Sequence, residues 1–169
     1  MKEFSTAKMD ETTNMITVIV LLFLLLFPIS SFFFEPPKPA ISIISFVLMY
    51  GVIFISYGFI PKRIAVSADQ ILIKNLFGSV VINIMEIETF GTLEKIGLNL
   101  RTAGVGGLFG YFGYFNGKDV WYVTNTKKKV QIILQSGKVY MISPENPDDF
   151  VKAVQQRKME STKFMDRLA

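Results

Sequence analysis

Two apolar runs, Met15–Phe34 and Ala40–Ile60, sit near the start of the chain with only Glu35-Pro-Pro-Lys-Pro39 between them. Neither run contains a charged side chain. Each is about twenty residues long, which at about 1.5 Å rise per residue crosses a hydrocarbon core of roughly 30 Å. A helix buried in a soluble core would show polar residues at helical spacing, whereas these runs hold only scattered Ser and Gly. The pattern predicts a transmembrane helical hairpin at residues 15–60, with spans 15–34 and 40–60 and a loop at 35–39. Residues 1–14 are then a short tail, and everything after Ile60 lies on one side of the bilayer. A cleaved signal peptide fits less well: no small-x-small site follows the first run, and a second span follows at once.

The balance of Lys and Arg at the span ends sets the orientation. The connecting loop offers only Lys38. Lys2 and Lys8 precede span one, and Lys62, Arg63 and Lys74 follow span two. Both termini and the C-terminal module are therefore expected on the cytoplasmic side of the plasma membrane. Small residues on span two, among them Ser42, Ser45, Gly51, Ser56 and Gly58, permit close helix packing, against span one or against another membrane subunit.

The chain of 169 residues contains no cysteine and no histidine. Disulfides, thiol nucleophiles, zinc sites of the usual type and His-dependent triads are excluded. No tight acidic cluster takes their place, so the sequence implies neither an enzyme nor a cofactor or metal.

Beyond Lys62 the continuous apolar pattern gives way to short alternating segments bounded by turn residues. Strands are predicted at Arg63–Val66, Ile71–Lys74, Ser79–Ile84, Glu86–Thr92, Gly97–Arg101, Asp119–Thr124, Val130–Leu134 and Lys138–Ile142. Close spacing without a helical break points to antiparallel strands curling into a small barrel or sandwich. Asn146-Pro147-Asp148-Asp149 then reads as a helix start: an N-cap, a proline at the first helical position, and two acids at the positive end of the dipole. Phe150, Val151 and Val154 form its apolar stripe, and residues 158–169 read as a charged C-terminal tail.

Three stretches carry a resemblance: "ILIKNLFGSVVINIMEIET", "RTAGVGGLFGYFGYF" and "VWYVTNTKKKVQIILQSGKVYMISPENPDDFVKAV". Together they resemble the bacterial PH-domain families found behind membrane helices. The closing "ISPENPDDFVKAV" is the most recognisable part. The resemblance covers residues 62–157 and implies a pleckstrin-homology-like fold: an α+β, mostly antiparallel barrel with one C-terminal capping helix, used for binding or scaffolding. The turn that would hold a phosphoinositide headgroup is here Ser67-Ala-Asp-Gln70, with one acid and no base, which argues against such a pocket.

Two segments are candidates for partner or lipid contact. The first is Gly107-Leu-Phe-Gly-Tyr-Phe-Gly-Tyr-Phe115, whose triplet repeat matches neither a strand face nor a helix face. It reads as a long inter-strand loop. Phe109, Tyr111, Phe112, Tyr114 and Phe115 either complete the core or form an exposed wedge for lipid or a partner. The second is the run Lys127, Lys128 and Lys129 at a turn, a solvated run or a contact for anionic lipid. Strand alternation places these two segments at opposite ends of the barrel. Three lysines at one turn do not make a nucleic-acid surface.

The function expected from sequence is a non-enzymatic, membrane-anchored module that binds a protein partner, or its own copies, as a scaffold. Two alternatives stand beside it: a sensor of anionic lipid surface through the aromatic loop or lysine turn, and an accessory subunit of a membrane complex or transporter.

Overall fold

The computed structural model describes residues 1–30, 33, 39–93 and 101–166. The two apolar runs form α1 (Glu11–Ser30) and α2 (Pro39–Gly58), which pack along each other. α1 begins before the apolar run because Asp10 caps it: Oδ1 accepts the Thr13 N–H at 2.8 Å. Both helices are long and apolar enough to cross a membrane. Their outer faces carry large exposed side chains such as Leu22, Phe23, Leu26, Val47, Leu48 and Phe54. On α2, Ser42, Ser56 and Gly58 are buried. The loop between the helices lies largely outside the described residues.

The alternating segments form strands. In chain order these are β1 (Lys2–Phe4), β2 (Arg63–Val66), β3 (Gln70–Lys74), β4 (Ser79–Asn83), β5 (Ile87–Thr92), β6 (Arg101–Gly106), β7 (Tyr111–Phe115), β8 (Asp119–Val123), β9 (Val130–Leu134) and β10 (Val139–Ile142). A four-stranded sheet runs β1-β2-β3-β4 and a six-stranded sheet β5-β9-β10-β8-β7-β6. Pairing is antiparallel except between β8 and β10. Among the described residues the two sheets do not close into a continuous barrel. Period-two alternation turns Ile71, Ile73, Val130 and Ile132 into a shared core, where each is essentially without solvent contact. Burial of each such side chain contributes roughly 1.5–3 kcal/mol. Helix α3 (Pro147–Asp166) lays Phe150 and Val154 on this core.

Four features differ from the sequence reading. The first residues are not a tail: β1 pairs with β2, Phe4 opposite Ile64, and Phe4 meets Phe150 edge-to-face at 5.2 Å. The chain then runs beside the end of β10, where Ala7 N–H donates to Ser143 O and Glu145 N–H to Ser5 O, both at 2.8 Å. Residues 1–10 thus stitch the two sheets together. A three-residue strand with two charged members is too short to show alternation.

The Gly-aromatic segment is not a loop. Together with residues 101–106 it forms the hairpin β6–β7, closed by the Gly107 N–H to Gly110 O bond at 2.9 Å. Alternation fails as a signal here because glycine sits where the two strands touch. Gly104 faces Gly113, and a Cβ on Gly104 would stand 2.1 Å from the Phe112 carbonyl oxygen. The strand expected at Gly97–Arg101 lies, apart from Arg101, outside the described residues.

The C-terminal residues are also more ordered than a tail. α3 runs on to Asp166, held by Lys158 Nζ donating to the Ile87 carbonyl and by Ser161 Oγ donating to Ala68 O at 3.3 Å.

Finally, the Gly-aromatic turn and the lysine turn lie at the same end. The hairpin inserts an extra strand, so two strands, β7 and β8, separate the turns and return the chain to its starting level.

Candidate functional site

Three turns meet the helices at one end of the sheets: the β3–β4 turn, the β6–β7 turn and the β8–β9 connection. In the first, Asn75 Oδ1 accepts the N–H groups of Phe77 and Gly78 at 3.0 and 2.9 Å. This Asx turn holds Leu76 so that its N–H reaches the Gly58 carbonyl at the end of α2, at 3.0 Å. The Phe77 ring packs edge-on against Phe59 at 5.2 Å and Phe54 at 6.5 Å.

The β6–β7 turn docks on both helices. Thr17 Oγ1, on α1, accepts the Phe109 N–H at 2.9 Å, and its single hydroxyl proton is shared between the carbonyls of Thr13 at 2.7 Å and Gly107 at 3.0 Å. The Phe109 ring meets Tyr57 of α2 at 5.8 Å, and Lys62 Nζ lies 4.0 Å from the centre of that tyrosine ring.

The β8–β9 connection closes on the start of α1. Asp10 Oδ2 accepts from both the N–H and the hydroxyl of Thr126, at 2.6 and 2.7 Å. Asn125 Nδ2 donates to Lys8 O at 2.8 Å, and Thr124 Oγ1 to Ala7 O at 2.6 Å. Burial raises the Asp10 carboxyl's pKa, but the bonds from Thr13 and Thr126 outweigh it and hold the group below its ordinary value.

The sequence candidates separate within this frame. Phe112 and Phe115 are buried, Phe115 stacked on Trp121 at 4.3 Å. Phe109 and Tyr111 are half-buried, while Tyr114 is 51% exposed. Lys127 is exposed. Lys128 pairs with Glu145, whose carboxyl is held below its ordinary range first by that bond and then by the Lys8 N–H. Lys129 is only 1% exposed, and its Nζ has no hydrogen-bond partner among the described residues. Burial pushes its amine down, partly offset by the nearby Asp10 carboxylate. Phe109 and the lysines thus lie at the helix end, where Phe109 docks on Thr17 and Tyr57, while β7 carries the other aromatics away from it to Phe115, which pairs with Asp119.

Two surfaces remain open. One is the turn tip, where Leu76 is 55% and Phe77 51% exposed. The other is β6, which pairs with β7 on one side, lies at the edge of its sheet among the described residues and is exposed along nearly its whole length. Neither was singled out from sequence, and nor were Asp10, Thr17 or Thr126. An Asp directly before an apolar helix is an N-cap signal, and Asn-x-x-Gly marks the turn that displays Leu76 and Phe77. The partnership of Asp10 with Thr126 has no local signature at all. Among the described residues no cluster of acidic side chains is placed to hold a metal ion.

No curated protein and no solved structure matches the chain. The bacterial PH domain family matches residues 62–158, more than half of the sequence and the whole stretch from β2 into α3. On that match, and on a strand-rich module closed by one C-terminal helix, the chain belongs to the bacterial PH domain family.

Proposed function

We propose that the chain is a membrane-anchored PH-like module that binds a protein partner at the cytoplasmic face of the membrane, without catalysis. The observation that carries this reading is the β6 edge. Arg101 and the register shift beside it guard only the start of the strand. From Thr102 to Gly106 it carries neither proline nor charge, although exposed edges in natural sheets usually carry such devices along their length. An extended segment of another protein laid along β6 would add a strand to the sheet.

The anchor favours a different protein over a second copy. β6 runs toward the helix end of the module, reaching Gly106 just before the turn that docks on Thr17. Two copies in one bilayer point their β6 strands the same way, which is incompatible with the more stable antiparallel pairing. The cytoplasmic placement rests on the excess of Lys at the helix ends that flank the module.

The test is photo-crosslinking in native membranes, with the reactive residue at Thr102 and a control at Gln155 on the exposed side of α3. A discrete adduct with another protein at Thr102, lost on the edge-blunting substitution Ala103→Lys, is expected. No adduct at Thr102, or adducts equal at both positions and unaffected by Ala103→Lys, would overturn the reading.

A further inference from the structure

Resting on the membrane reading above, we infer that the β3–β4 turn is a bilayer-interface contact, with Leu76 and Phe77 seated below the headgroups and Lys62 and Lys74 at phosphate level.

The first observation is a contrast between the two ends of the sheets. Three turns remote from the helices have polar tips: Ser67-Ala-Asp69, Asn116-Gly-Lys118 and Gln135-Ser-Gly137. The connection Ile84-Met85-Glu86 beside them exposes one apolar side chain, Met85, less fully than either residue of the β3–β4 tip. The β3–β4 turn needs Asn75 and Gly78 for its geometry, but nothing in that geometry calls for Leu and Phe between them. Both are more than half exposed at the tip. Two large apolar side chains at an exposed tip mark a contact surface.

The second observation is continuity with α2. The Leu76 N–H is bonded to the last turn of the helix, and Phe77 packs on Phe54, itself 61% exposed on the outer face of α2. A Cβ on Gly58 would come within 2.3 Å of the Phe77 ring, so glycine at that position lets the turn lie against the helix. The apolar surface of the helix therefore passes without a break into the turn tip.

The third observation is charge. Lys62 and Lys74 sit at the adjoining ends of β2 and β3, joined by the Lys62 N–H to Lys74 O bond at 2.7 Å, and both are exposed. An apolar tip flanked by lysines matches the layering of a bilayer surface, where long cationic side chains reach back to the phosphates. A protein groove would need no such order of depth.

The chain's lack of cysteine makes the test direct. Single-cysteine variants Leu76→Cys, Phe54→Cys and Met159→Cys of the full chain carry a nitroxide in phospholipid vesicles containing anionic lipid. Relaxation by oxygen, which concentrates in the bilayer, is compared with relaxation by a water-soluble nickel chelate. The label at Leu76 is expected to resemble that at Phe54, oxygen-accessible and shielded from nickel, while the label at Met159 on α3 shows the reverse. A Leu76 label as open to nickel as that at Met159, with Phe54 still shielded, would overturn this inference and leave the membrane reading standing. Nickel access at Phe54 as well would overturn both. Phe77→Cys repeats the measurement should Leu76→Cys fail to fold.

Discussion

Asp10 and Thr126 stand 116 positions apart in the chain and are joined by two hydrogen bonds, from the threonine's N–H and from its hydroxyl to one carboxylate oxygen. The other oxygen caps α1, so one side chain fixes the start of the helix to the β8–β9 connection. Asp10→Ala removes the cap and leaves the Thr126 donors unpaired, and is expected to lower stability by about 2–4 kcal/mol. The folded-state pKa lies below the ordinary 3.8, so the carboxylate's contribution is complete above that value and is lost as pH falls through the folded value. Acid unfolding followed by the fluorescence of Trp121, the single tryptophan, should show a shallower acid limb for Asp10→Ala than for the unaltered chain.

Lys129 buries its amine near the Asp10 carboxylate with no described hydrogen-bond partner. Replacing such a charge by an apolar side chain of similar length removes the desolvation cost, so Lys129→Met is expected to raise stability at neutral pH by about 1–3 kcal/mol. The amine's pKa is lowered on folding, so its penalty is complete below the folded value and fades as pH rises through it toward the ordinary 10.5. The advantage of Lys129→Met should therefore shrink in alkaline solution, as measured by denaturant unfolding at neutral and alkaline pH.

The aromatics of the β6–β7 hairpin divide by burial. Phe112→Ala is expected to cost about 3–5 kcal/mol through the cavity it leaves. Tyr114→Ala, two positions on and half exposed, should stay within about 0.5 kcal/mol. Thermal unfolding of both variants in the same detergent decides the matter, and equal effects would contradict the burial pattern.

Gly110 has φ +144°, and a Cβ there would meet the Val123 carbonyl oxygen at 2.4 Å. Gly110→Ala is expected to cost at least about 2 kcal/mol from strain and collision together. Gly51, on α2, has open space around it, and Gly51→Ala should leave unfolding unchanged or slightly later. Amide hydrogen exchange across β7 and β8 reads the first effect locally.

The parts of this molecule that were legible in its sequence are those whose signal is local. Charge-free runs of one membrane thickness mark α1 and α2, period-two alternation marks β3 and β9, and Asn146-Pro147 marks the start of α3. β1 was not legible because three residues carry no period, and its place depends on Ile64 and Ala65 far along the chain. The β6–β7 hairpin was hidden because glycines at its strand contacts remove the side chains from which alternation is read. Missing β7 also misplaced the lysine turn, since one omitted strand between the two turns reverses the end at which the second falls. The roles of Lys128 and Lys129, identical in sequence context, part only through Glu145 and the packing around each.

The pairing of β1 with β2 has a consequence for biogenesis. The first strand of the sheet is made before α1 and α2, and its partner after them. The sheet is therefore complete only when α1 and α2 together bring residues 2–4 and 63–66 side by side. A chain that stranded its first residues across a barrier would bare one edge of β2 and uncover Phe150. Under the membrane reading proposed above, the β1–β2 pairing requires both spans to be crossed before the sheet can close.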